Sequence, residues 1–360
     1  MAEQSIYQEF IKQNLKAVSL GVATTYNGKD SQPSYLFKQL LKKKRAYDGR
    51  WTSTSRNIGY VMADYISTNS AIPQKSRDGG EVASGKIQKM ATERWLDEEQ
   101  LQLLANMRDN PNVTQDEIGS ILFQDVQAVI SGANERLEDT FLTGASYGKS
   151  LIHTDNVGLA VQMNYGYKNE NKLGVPIVWS DPTADRINDL ERAVSKVKGN
   201  KHMMLDRVAL KEVLADEKAR VYFGWMSKFF GEADNIPTLD EEAALSVIKT
   251  KFKLNSIQIV DRDTVYEIDG VRHEKTPWKE GVIGLYPSSQ IGVLAWNKLA
   301  EAADPVQYVD YATVDEYLLI SMWREKRSFY SQFTNSQGLV VPVIENGDKV
   351  VTLDTKTVQA

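Results

Sequence analysis

The stretch GASYGKS, residues 144–150, ends in the Gly-Lys-Ser with which phosphate-binding loops hold nucleotide phosphates and a magnesium ion. That chemistry needs a glycine, four residues and then Gly-Lys-Ser or Gly-Lys-Thr, so that a fixed row of backbone N–H groups meets the phosphates. The glycine is due at position 143, which is Thr143, and Gly144 leaves only three residues before Gly148. Such a loop also follows a buried strand and opens a helix. Here a helical pattern precedes the glycines, which fall where helices stop. The stretch is expected to end a helix and to hold no nucleotide.

The other candidates for chemistry are sparse. His153, His202 and His273 stand far apart and match no zinc spacing. The chain has no cysteine, which removes disulfides, thiolate nucleophiles and cysteine metal sites together. Asp181, Asp185 and Asp189 could offer oxygen ligands to a cation. A helix start accounts for them better: Asp181 as N-cap, Pro182 in the first helical position and Asp185 in the first turn. Glu135, Glu138 and Asp139 could suggest acid–base work, but Arg136 interrupts them, and they are expected to be solvated helix charges. There is no Gly-x-Ser-x-Gly, no dinucleotide fingerprint and no triad order. No catalytic residue, cofactor or metal is expected.

Charge is uneven. The net charge of the 360 residues is −5, yet the first 60 carry ten Lys and Arg against four Asp and Glu. The cluster Lys42, Lys43, Lys44 and Arg45 is expected on the solvated face of a short helix from Tyr35 to Ala46, with Leu36 and Leu40 inward. Its alternative is contact with nucleic acid or an acidic neighbour. No apolar run approaches 18 residues, so no membrane span is expected. MAEQSIYQEF lacks the pattern of a signal peptide.

The elements that would carry these residues follow from periodicity. Residues 1–34 read as a short helix and a polar segment with the look of an arm. Residues 50–95 read as a polar hairpin turning at Arg77-Asp78-Gly79-Gly80, too poor in apolar residues to stand alone. Thr114 and Glu117 make a capping box. Ile118, Leu122, Val126, Val129, Ala133, Leu137 and Phe141 then form one helical stripe, predicting a helix from Thr114 to Thr143 that Gly119 and Gly132 can bend. Lys201–Asp206 reads as a buried strand, and Arg207–Asp216 as a helix. SIQIVDR, TVYEID and GVIGLYP read as strands, YLLISMWREKRS as a long exposed strand, and Asn346-Gly347 as a hairpin turn.

This order of elements carries a resemblance. ANERLEDTFLTGASYGKSLI (133–152), VWSDPTADRINDLERAV (178–194), HMMLDRVALKEVLAD (202–216), GVIGLYPSSQIGVLAW (281–296) and GLVVPVIENGDKVV (338–351) together resemble the capsid protein E family of lambda-like tailed bacteriophages. The closing element departs from that family's Arg-Pro-Leu-Pro type sequence. The resemblance implies an α+β fold of the Hong Kong 97 type, with residues 1–48 as N-arm and 49–92 as extended loop. It implies a peripheral domain with a spine helix at 93–165, joined by about 250–268 and 307–353. The axial domain would be 166–249 and 269–306, and the tail 354–360.

The resemblance also implies a structural protein and not an enzyme: a major capsid protein forming hexamers and pentamers with itself in an icosahedral head shell around phage DNA. A separate scaffolding protein, a portal, and a maturation protease or decoration protein are implied partners, with packaged double-stranded DNA held non-specifically. The implied location is the virion, after assembly in the bacterial host cytoplasm. Lys75, Arg77, Asp78 and Glu81 become candidates for intersubunit contacts. Lys42, Lys43, Lys44 and Arg45 become candidates for inner-surface or arm contacts. A tail or baseplate structural protein and a P-loop-type nucleotide-binding enzyme are the alternatives.

Overall fold

A computed structural model describes residues 2–3, 7–25, 34–55, 80–152, 161–226, 240–326 and 330–359. The chain opens with β1 (Ala2–Glu3), α1 (Gln8–Thr25), α2 (Leu36–Leu40) and β2 (Leu41–Arg45). Next come β3 (Arg50–Ser55), β4 (Gly80–Lys86), β5 (Lys89–Leu96), α3 (Glu98–Arg108), α4 (Gln115–Leu122) and α5 (Gln124–Tyr147). Then follow β6 (Lys149–Ile152), β7 (Val161–Asn164), β8 (Lys172–Val175), α6 (Arg186–Lys196), β9 (His202–Asp206), α7 (Arg207–Leu214), α8 (Glu217–Met226) and α9 (Glu241–Lys251). The remainder is strand: β10 (Ser256–Val260), β11 (Thr264–Ile268), β12 (Val271–Lys275), β13 (Val282–Tyr286), β14 (Gly292–Asn297), β15 (Asp310–Val314), β16 (Leu318–Lys326), β17 (Tyr330–Ile344) and β18 (Val351–Val358). By contacts the chain divides into two units: residues 1–51, 86–141 and 293–342, and residues 52–85, 142–292 and 343–360.

The first unit is built on a sheet of order β1-β16-β17-β14-β2, with β15 beside β16 and β5 beside β17. The expected N-terminal helix is present as α1. It packs along β15 by one stripe, Ile11, Leu15, Ser19 and Ala23, all buried at steps of four. Both Thr114 and Glu117 serve the predicted capping box. The predicted stripe from Leu122 to Phe141 is buried throughout. The single long helix, however, is two. It breaks at Phe123 (φ −102°, ψ 4°), whose buried ring stacks on Phe10 at 5.8 Å, and neither Gly119 nor Gly132 is the break.

Three further expectations are corrected in this unit. Lys42–Arg45 lie on a strand, not a helix, because Leu41 turns extended (φ −114°, ψ 140°) and the segment closes one edge of the sheet. Helical geometry would stack these like charges within a turn, whereas a strand spreads them over both faces. The strand expected to be exposed, β16, is buried from Leu318 to Met322: it runs inside the sheet between β17 and the pair β15 and β1, and since successive side chains alternate faces, both of its faces are covered there. Glu138 and Asp139 are not solvated: Glu138 is fully buried and Asp139 nearly so.

The second unit holds a sheet of order β10-β9-β13-β18-β8, parallel at both ends and antiparallel in the middle. Its inner face buries Met203, Leu205, Ile283, Leu285, Val351 and Leu353 against α6, α7 and α9 through Leu190, Leu210 and Ile248. The buried strand expected at 201–206 and the helix after it are both found. Asp206 joins them: one oxygen caps α7 by accepting from the Ala209 N–H, the other accepts from the Gly281 N–H. Burial raises its carboxyl pKa against those hydrogen bonds.

The helix start near Pro182 lies four residues later than expected. Asp185 is the N-cap of α6, accepting from the Asn188 N–H, while Asp181 closes a turn on Thr183. Asn346, in the left-handed region at φ 55°, opens a short 3-10 turn from β17 to β18. Those strands belong to different sheets, so the expected hairpin does not form. Strands β10 and β11 group with the second unit, residues 293–306 with the first, and the expected tail from 354 is largely the paired strand β18.

Candidate assembly surfaces

The Gly-Lys-Ser stretch shows why spacing decides. Gly144 to Tyr147 are the last residues of α5, and Gly148 stops it at φ 73°. A helix end presents carbonyls, the wrong polarity for phosphate. The Ala145 carbonyl instead accepts from two tyrosine hydroxyls, Tyr167 at 3.1 Å and Tyr286 at 3.0 Å. The glycines make room for rings: a Cβ on Gly144 would lie 2.5 Å from Tyr165, and one on Gly148 would lie 2.6 Å from Tyr167. Tyr165, Tyr167 and Tyr286 are buried, and burial pushes all three hydroxyls far up in pKa. Lys149 is exposed on β6. Sequence patterns missed this cluster because tyrosines 120 residues apart show no period.

Glu138 is the other group that periodicity missed. Its two oxygens accept from the backbone N–H groups of Leu36 and Phe37, each at 2.9 Å. One turn earlier, Glu135 accepts from the Tyr35 hydroxyl at 3.0 Å. A buried carboxylate on α5 thus fixes the segment that leads into the basic strand. The available signal was its place on the apolar side of the helical stripe, between Leu137 and Phe141.

On the basic strand, Lys43 pairs with Asp315 at 3.2 Å, and Lys38 reaches the same carboxylate at 2.9 Å. Burial would raise the Asp315 pKa, but the two lysines outweigh it and hold the carboxyl below its usual range. Arg45 lies over the rings of Tyr47 and Trp296. Lys42 and Lys44 are exposed along an edge strand, where lysine discourages unwanted strand pairing. Lys75, Arg77 and Asp78 lie outside the described residues. Glu81 falls in β4, which pairs with β3 as a two-stranded ribbon, and its side chain is likewise outside the description.

Of the histidines, His153 lies outside the described residues. His202 meets the Ser256 hydroxyl at 2.7 Å, with burial lowering its pKa. The His273 ring stacks on Tyr266. Among the described residues no cluster of His, Cys, Asp or Glu could hold a metal, and no helix is long and apolar enough to cross a membrane. Two tryptophans are open to solvent, Trp95 on β5 (54% exposed) and Trp225 on α8 (74%), as are Tyr47 and Tyr308. Beside Trp225, a groove of about 760 Å³ is lined by Ile187, Val221, Tyr222, Asp185, Glu191 and Lys251 among others.

No protein-family model matches the sequence, and no curated protein matches it. Solved structures do. A protein described as the capsid protein of a prophage of Escherichia coli CFT073 is similar over 98% of this chain and 99% of its own, with a TM-score of 0.56 at 14% identity. A phage-related protein of Bordetella bronchiseptica RB50 is similar over 99% of this chain and 98% of its own, with a TM-score of 0.52 at 10% identity. The chain has the α+β fold of phage capsid proteins, as its ordered resemblance implied.

Proposed function

We propose that this chain is a structural major capsid protein of a tailed bacteriophage, assembling with itself as hexamers and pentamers into an icosahedral head shell around DNA. The observation that carries the reading is a capsid-type fold matched over 98% of this chain and 99% of the prophage protein. Many modest contacts per copy make such a shell stable through multivalency while errors can still dissociate. In this reading the first unit is the peripheral domain with the spine helix α5, and the second is the axial domain. Residues 49–92 are the extended loop, and Lys75, Arg77, Asp78 and Glu81 contact neighbours. Lys42, Lys43, Lys44 and Arg45 face the shell interior or the arm. Scaffolding protein, portal, maturation protease or decoration protein, and packaged DNA are the further partners, in the virion and the host cytoplasm.

Electron microscopy of the protein expressed alone and with its scaffold tests this. Capsomers, sheets or closed shells are expected. A protein that stays monomeric at every concentration and salt refutes it, and small rings or trimers that never close favour a tail or baseplate protein. Replacing Thr68–Lys86 with a short glycine-serine turn is expected to spare folding and abolish shells.

A further inference from the structure

Two features of the second unit leave strand edges unpaired among the described residues, and they match. The first is the β11–β12 ribbon. Among the described residues its strands pair only with each other, from Thr264 opposite Lys275 to Ile268 opposite Val271. Thr264 is its one buried residue, while Val265 and Val271 stand more than half exposed. A two-stranded ribbon without a third element is marginal in water. Yet its base is anchored: Thr276 donates to Asp263 at 2.6 Å, and Arg207 ties Asp261 to Glu241.

The second feature is the outer edge of β10. This strand ends the five-stranded sheet, and its sequence SIQIV holds no charge and no proline, the usual devices that blunt an edge. Two other edges are managed. Strand β2 carries three lysines and an arginine. Strand β8 has its Gly174 N–H bonded to the Gln359 side chain and its Gly174 carbonyl bonded to Arg192. Strand β10 and both ribbon strands are each five residues long. Within one chain the ribbon does not fold back on β10, although only Asp261–Asp263 separate them.

We infer that the β11–β12 ribbon of one copy adds to the free β10 edge of a neighbouring copy, extending its sheet by strand addition. The inference rests on the proposed self-assembly and names one of its contacts. Every copy offers one ribbon and one edge, so the contact is heterologous and can close a ring, as a capsomer requires. Main-chain hydrogen bonds supply the affinity, and no charge on β10 has to be desolvated.

A chain without native cysteine permits a direct test. Gln258→Cys on β10 is mixed with Val265→Cys, Glu267→Cys, Arg272→Cys or Glu274→Cys, which share one ribbon face. The mixtures are assembled, oxidised and run on non-reducing gels. A disulfide needs Cβ atoms roughly 3.5–4.5 Å apart, so it reports that the ribbon lies directly against β10. A mixed dimer is expected with at least one ribbon variant, and a ladder when both cysteines share a chain. Assembled particles with no crosslink from any of the four refute the ribbon contact and leave the capsid reading standing. Failure of every variant and of the parent to assemble overturns both. As a second arm, Thr264–Lys275 is replaced with a glycine-serine turn. An unchanged Tm with loss of capsomers supports the contact, and normal capsomers refute it.

Discussion

Glu138 offers the sharpest test of the structural argument. Its carboxylate is fully buried on α5 and accepts two backbone N–H groups at 2.9 Å. In Glu138→Ala both N–H groups lose their acceptor. At about 1–3 kcal/mol for each buried unsatisfied group, the loss is about 2–6 kcal/mol. For a body of this size that corresponds to a fall in Tm of roughly 4 °C or more. Glu138→Gln keeps one acceptor and turns an amide toward the other N–H, so it should cost about 1–3 kcal/mol, between parent and alanine. Glu135→Ala loses one part-exposed hydroxyl bond and should cost about 0.5–1.5 kcal/mol. Thermal melting gives the order, and hydrogen exchange at the Leu36 and Phe37 amides reports the site. Those two amides should exchange faster in both Glu138 variants and be unaffected in Glu135→Ala. If Glu138→Ala melts within a degree of the parent, or both amides stay protected, the carboxylate does not hold this segment.

The helix end gives a second expectation. Gly148→Ala meets a left-handed backbone that costs roughly 1–2 kcal/mol and the Tyr167 ring besides, so it should lower Tm clearly. Lys149→Ala on the exposed strand β6 should stay within about 0.5 kcal/mol of the parent, and calorimetry with magnesium-ATP should detect no binding to either. Asp315 predicts acid sensitivity. Its folded pKa lies below the unfolded one, so its contribution is full above about pH 4 and is lost as pH falls through the folded value. Lys38→Met should therefore be less stable than the parent at pH 7, with the gap shrinking below about pH 4 in urea melts. Finally, Lys42→Val with Lys44→Val bares the β2 edge and should raise light scattering on storage, whereas Lys42→Arg with Lys44→Arg should not.

What was legible in the sequence was local. The capping box at Thr114, the stripe from Leu122 to Phe141 and the buried strand at His202 declare themselves within a few residues, because caps and periods are short-range signals. The ordered set of five stretches identified the capsid fold, which no one of them could. Misreadings arose where a distant partner overrides local preference. Phe123 breaks the long helix while stacking on Phe10. The lysine run becomes a strand because β14 receives it. Strand β16 looks amphipathic yet is buried because both faces of the sheet are covered there, and β17 keeps Ser331, Gln332, Thr334 and Ser336 buried as well. Glu138 looked solvated because its two amide partners lie about 100 residues away.

The distribution of indoles has an optical consequence. Each unit carries one tryptophan more than half open to solvent, Trp95 in the first and Trp225 in the second, while Trp51 and Trp296 in the first and Trp179 and Trp278 in the second are buried and Trp323 in the first is partly exposed. A neutral quencher such as acrylamide should therefore dim those two red-shifted emitters first, Trp323 less, and leave a blue-shifted remainder from the four buried indoles. Trp95→Phe and Trp225→Phe each leave the other unit with its solvent-facing lamp, so that events at either surface can be followed separately, without attaching a dye.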